Sequence, residues 1–139
     1  MRNTQLGGIA RARSLSAGER TAIARKAARA RWNKRAAGIL RKSEIQRQVK
    51  LALGDRAASA FLFGSYARGE ATPESDVDIL VIEEKPAAGW MKETSEIRRR
   101  LSFGKPVDLI VVDKASYEDW KHECGTVQYE VAREGVRLV

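Results

Sequence analysis

Ile45, Val49, Ala52 and Leu53 recur at helical spacing, which predicts a helix over 43–53 with Ser43 as its cap and Gly54 as its end. The pattern then changes. Apolar runs at 58–63 and 76–82 read as strands, and Pro86 and Gly89 mark the loop after them. Trp90, Ile97 and Leu101 return to helical spacing and predict a helix over 90–101, ended by Gly104 and Pro106 before a third strand at 107–112. Helices near 115–122 and 126–134, with Trp120, Val127 and Val131 turned to the core, lead to a short strand at 136–139. The order predicts an α/β (α+β) chain: a small mixed β-sheet with helices packed on one face.

The segment ahead of 43 follows another rule. Ser16 and Glu19 have capping-box spacing, and a helix over 17–37 should follow, rich in Ala, Arg and Lys. Ile23 and Trp32 are its large apolar side chains, so it buries little by itself, and Gly38 offers a break. Residues 1–15, rich in Arg, Gly and Ser, are expected to be mobile. The division expected is a basic helical extension, 1–42, and a second domain, 43–139.

Charge sharpens that division. The chain of 139 residues carries a formal +8. Residues 1–50 hold fourteen Lys/Arg against two Glu, or +12, and residues 51–139 hold twelve against sixteen acids, or −4. Two uses of the basic helix stand side by side. Arg25, Lys26, Arg29 and Arg31 suit phosphate, with Trp32 placed to stack on a base of DNA or RNA. The same helix also suits docking on an acidic partner, or on the acidic half of this chain.

Several classes fall away. No apolar run approaches a membrane span, and the start lacks the apolar stretch of a signal peptide, so a cytoplasmic protein without a membrane is expected. A single cysteine, Cys124, forbids an internal disulfide, and a single histidine, His122, forbids a multi-histidine metal site. There is no Gly-x-Gly-x-x-Gly or Gly-Lys-Ser/Thr loop, which argues against Rossmann and P-loop readings.

The chemistry concentrates at 61–81. Gly64-Ser65 follows three apolar residues, and Asp76-Val77-Asp78 opens the next apolar run. Gly64 permits a sharp turn and close approach of backbone to a ligand, and Ser65 sits where a helix begins and free N–H groups attract phosphate. Asp76 and Asp78 share one face of a strand. At roughly 5 Å and an effective dielectric of about 20, two such carboxylates repel by about 3 kcal/mol, which a divalent cation removes. Asp108, opening the run 107–112, is the best third carboxylate, whereas Asp113 faces the other way. Arg68, one turn after Ser65, is placed to pair with phosphate or brace the turn through Asp76, with a surface arginine as the plain alternative. Tyr66 suits either base stacking or packing.

Residues 58–82 resemble the signature of the DNA polymerase beta-like nucleotidyltransferases, most closely the minimal nucleotidyltransferases, at Gly64, Ser65, Arg68, Gly69, Ser75, Asp76 and Asp78. The resemblance extends over about 43–139: Val107-Asp108-Leu109-Ile110 is similar to that family's third-carboxylate strand, and 125–139 to its last helix and strand. It implies transfer of a nucleoside monophosphate from ATP or another triphosphate, with two Mg²⁺ ions held by Asp76, Asp78 and Asp108, and triphosphate held by Gly64, Ser65 and Arg68, with Tyr66 beside it. It further implies an antitoxin-type enzyme that attaches AMP to a HEPN-type ribonuclease toxin. Addition of nucleotides to RNA 3′ ends, and a catalytically silent nucleotide- or DNA-binding regulator, are the alternatives. The sequence leaves the oligomeric state open.

Overall fold

A computed structural model describes residues 16–36, 38–56, 58–85 and 89–139 of the chain. The chain divides into two units, Met1–Ala37 and Gly38–Val139. Among the described residues, the first contains one helix, α1 (Ala17–Ala36). Its capping box forms as the spacing predicts. Ser16 N–H donates to Glu19 Oε2 at 2.8 Å, and Glu19 N–H donates to Ser16 Oγ at 3.2 Å. These bonds hold the Glu19 carboxyl below its ordinary range. Every side chain from 16 to 31 is exposed, Ile23 included. Residues 1–15 and the Trp32 side chain, on which two sequence expectations rest, lie outside the described residues.

The second unit is built on a four-stranded sheet of order β3-β2-β1-β4, from β1 (Ala58–Phe63), β2 (Val77–Glu83), β3 (Val107–Asp113) and β4 (Val136–Arg137). β1 pairs antiparallel with β2 and β4, and β2 pairs parallel with β3. A parallel pair needs a crossover, and α4 (Trp90–Arg100) supplies it. The remaining helices are α2 (Lys42–Leu53), α3 (Gly64–Arg68), α5 (Lys114–Trp120) and α6 (Val127–Glu134). α2 begins one residue before Ser43, with Arg41 at the cap position and no side-chain cap bond, so Ser43 is a helical residue and not the cap.

Strand alternation sorts the core into two layers. Leu62, Val77, Ile79, Val81, Leu109 and Val111 pack with Ile45, Val49 and Leu53 of α2 and Ile97 of α4. The opposite parity, Phe63 and Leu80 with partly buried Phe61, Ile82, Ile110 and Val112, meets Tyr117 of α5 and Val127 and Val131 of α6. The single helical layer expected is thus the thicker of two. Trp120, expected to face the core, is 53% exposed, and Trp90 is 63% exposed. The short helices already place Tyr117, Val127 and Val131 against the sheet, and the indoles fall on the outer sides.

One buried ionic cluster was not foreseen. Arg56 pairs with Glu83 at 3.5 Å, with Glu96 at 2.8 Å and with Glu93. Glu83 and Glu93 are buried, so this arginine offsets carboxylates that water does not reach.

Candidate active site

The site lies where β1 ends and β2 and β3 begin. Antiparallel register sets Phe63 opposite Asp78, and parallel register sets Asp78 beside Asp108. Asp78 and Asp108 therefore stand on adjacent strands at one level and on one face. That face is the thinner layer, two residues before Leu80 and Ile110 enter its core. The carboxylates sit on open surface, with Asp76 and Asp108 exposed and Asp78 half-buried. A cavity of about 460 Å³ lined by Trp90, Asp113, Trp120 and Gln128 contains none of the three.

Gly64 connects the strand to the turn. Its φ is 67°, and a Cβ there would collide with Asp78 Oδ2. Two requirements thus fall on one residue: a left-handed backbone and room for the carboxylate. α3 starts at Gly64, so its first N–H groups lack intrahelical partners beside Asp78. Gly69 closes α3 at φ 75° and donates its N–H to Ser65 O. The loop before Asp76 is tied by Ser75, whose Oγ accepts from Thr72 N–H at 2.8 Å while its own N–H donates to Thr72 O at 3.0 Å. Val77 N–H then reaches Pro106 O at 3.1 Å, which fixes the two aspartate-bearing strands at their entry.

Electrostatics follow from this crowding. The Asp78 carboxyl is pushed above its ordinary range by burial first, then by Asp108, Asp76 and Glu130, and Arg68 opposes the shift. Arg68 does not reach a lone partner. Its guanidinium meets Glu70 at 2.9 Å, Glu130 at 3.3 Å and Glu134 at 3.7 Å. Glu130 and Glu134 on α6 are thus neighbours of the site that sequence reasoning missed. Their i,i+4 spacing was a visible signal, but only the fold brings α6 against α3.

Tyr66 is corrected. It is 3% exposed within the larger core layer, and its hydroxyl takes hydrogen bonds from Lys105 Nζ at 2.9 Å and Leu40 N–H at 3.3 Å. A ring packed in that way offers no face to a base. Asp113 does turn from Asp108, as the strand period requires, and caps α5 through Ser116 N–H at 2.7 Å.

Among the described residues, no three His, Cys, Asp or Glu side chains form a ready-made metal cage. The donor set nevertheless fits a hard cation of the magnesium kind. Such an ion takes one or two carboxylates and completes its shell with water and substrate phosphate. The Asp78 carboxyl is raised by burial first and then by the neighbouring acids, and a divalent ion bound there would favour its charged form. Arg25, Lys26, Arg29 and Arg31 lie apart in sequence, on exposed α1.

An α/β sheet that carries paired carboxylates beside a glycine turn defines a class of phosphate-transfer site. Comparison gives the family: the nucleotidyltransferase domain family matches residues 43–130, more than half of the chain, and the protein belongs to it. A putative protein adenylyltransferase of Methanocaldococcus jannaschii is 37% identical over 61 residues, 43% of this chain and 62% of that relative. The chain therefore spans less than two thirds of that relative's length. A second putative protein adenylyltransferase of the same organism is 44% identical over 71 residues, 48% of this chain and 71% of the relative. Among solved structures, a toxin-antitoxin with AMP-PNP aligns at a TM-score of 0.44 and 22% identity, over 68% of this chain and 72% of that one. No helix among the described residues is long and apolar enough to cross a membrane.

Proposed function

We propose that this nucleotidyltransferase moves AMP from ATP to a hydroxyl of a partner protein, with Asp76, Asp78 and Asp108 as its metal-binding carboxylates. The observation that carries the reading is the in-register pair Asp78 and Asp108 beside a glycine whose missing Cβ makes room for Asp78. The protein acceptor is supported by the names of the two archaeal relatives. A HEPN-type toxin as that acceptor rests on the resemblance of 43–139 to the minimal nucleotidyltransferases.

In this reading the backbone of Gly64 and Ser65 receives triphosphate at the open start of α3. Asp78 and Asp108 would hold divalent cations, with Asp76 completing the set. The ions, when bound, neutralise charge on the phosphates and on the attacking and leaving oxygens. Asp108, exposed and on the edge strand, faces the incoming acceptor and accepts the proton of its hydroxyl. The acceptor oxygen bonds to the α-phosphorus as the bond to pyrophosphate breaks. Arg68 steadies α3 against α6 through Glu130 and leans toward Asp78 electrostatically. The three glutamates around it are better suited to holding Arg68 in place than to leaving it free for phosphate.

The test is intact-mass spectrometry of candidate partner proteins incubated with the enzyme, Mg²⁺ and ATP. The reading expects one AMP added covalently, lost with Asp78→Asn. Label that enters RNA instead would replace the protein acceptor with a nucleic-acid one.

A further inference from the structure

α1 carries seven Lys/Arg and one acid, Glu19, yet it has no apolar stripe with which to dock. Its described side chains are exposed all round. Successive residues turn by about 100° on a helix. Arg20 and Arg31 therefore lie on one flank within about 20° of each other. Arg25 and Arg29 lie on another, roughly 120–180° away, with Lys26 about 60° further round, on the side away from the face between the flanks. Over residues 17–31 the face between these flanks holds Ala17, Thr21, Ala24 and Ala28, all small, and the sequence positions of Trp32 and Arg35 fall on the same face in the next turn. Thr21 Oγ1 is turned to its own helix, donating to Ala17 O at 2.9 Å.

We infer that α1 is a double-stranded DNA-binding element that lies in the major groove. An acidic protein surface would engage one flank and leave the other in water. A groove of about 12 Å has phosphates on both walls and admits a helix of roughly 10–12 Å diameter, so both flanks are neutralised together. The small face between them lets the backbone approach the groove floor, where alanine methyls meet thymine methyls. A-form RNA has a major groove too deep and narrow for the same fit. Residues 51–139 carry a formal −4 and repel phosphate, so the bulk of the affinity should come from the basic arm.

The experiment is fluorescence anisotropy of the full chain on a labelled duplex of about 20 base pairs, across salt. The four described cations on the two flanks, Arg20, Arg25, Arg29 and Arg31, contribute about −3.6 to the slope of log K against log salt. The triple variant Arg25→Gln/Lys26→Gln/Arg29→Gln replaces charge with good helix formers. It should make that slope shallower by about two, keep its helical circular dichroism, and keep nucleotidyl transfer. Arg25→Lys with Arg29→Lys should retain most binding. An RNA duplex of the same sequence should bind at least about 10-fold more weakly. Salt-independent or undetectable DNA binding at low salt would overturn the inference. So would a slope unchanged in the folded triple variant, equal or tighter binding of the RNA duplex, or capture of an acidic protein by the same cations in place of DNA.

Discussion

On one face of the sheet, Val77, Ile79, Val81, Leu109 and Val111 continue an unbroken apolar surface under α2 and α4. On the other, the same strands open with Asp78 and Asp108 before Leu80 and Ile110 restore the core. A single step along a strand separates sealed packing from surplus charge. The thin face keeps Asp78 beside Asp108, with the Asp78 carboxyl raised by burial first and then by Asp108, Asp76 and Glu130. The face that stabilises and the face that reacts are thus two sides of one hydrogen-bonded frame.

Breaking the reactive face should cost the most in rate and the least in structure. Asp78→Asn or Asp108→Asn is expected to lower nucleotidyl transfer by at least about 10³-fold, about 4 kcal/mol in the barrier, with unchanged circular dichroism. Breaking the sealed face should do the reverse. Ile79→Ala, at a fully buried position, should cost about 3 kcal/mol of stability in denaturant unfolding. The matched change Ile110→Ala on the thinner, half-buried face should cost about 1 kcal/mol. Equal losses at the two positions would remove the contrast between the faces. A smaller effect is expected at Thr126, whose hydroxyl accepts from Tyr129 N–H at 3.1 Å and caps α6. Thr126→Ala should cost about 1 kcal/mol and loosen the helix that carries Glu130 and Glu134.

The pH behaviour sharpens the same comparison. The folded-state pKa of Asp78 is raised, so its ionisation opposes folding above that pKa, and the penalty disappears as pH falls through it. Asp78→Asn should therefore raise the Tm of the metal-free protein at neutral pH while abolishing transfer. Arg68 pulls the Asp78 pKa down. Arg68→Ala should move the acid limb of the pH–activity profile to higher pH, with little change in Tm, because its ion pairs are exposed.

Much of this arrangement was readable from local pattern. Apolar runs placed Asp78 and Asp108 on strands, and the Ser16–Glu19 spacing foretold a cap that forms. What resisted reading depends on distant chain. Glu130 comes to Arg68 across 62 residues, because α6 packs against α3 and β1. Arg56 finds Glu83 across 27 residues and Glu96 across 40. Tyr66 looked like a ligand contact from its place after Gly64-Ser65, but α3 is five residues long and turns that ring into the core. Trp120 misled for the opposite reason: it was expected in the core, while Tyr117, Val127 and Val131 of the short helices already cover the sheet there.

The most direct measurement of the central claim needs no acceptor. Calorimetric titration with a non-hydrolysable ATP analogue should show binding to the native chain that requires Mg²⁺ and is lost in EDTA. Asp108→Asn should weaken it by at least about 10-fold, and Gly64→Ala, by displacing Asp78, should weaken it similarly. Binding of equal strength with and without Mg²⁺, unchanged by either substitution, would contradict the account.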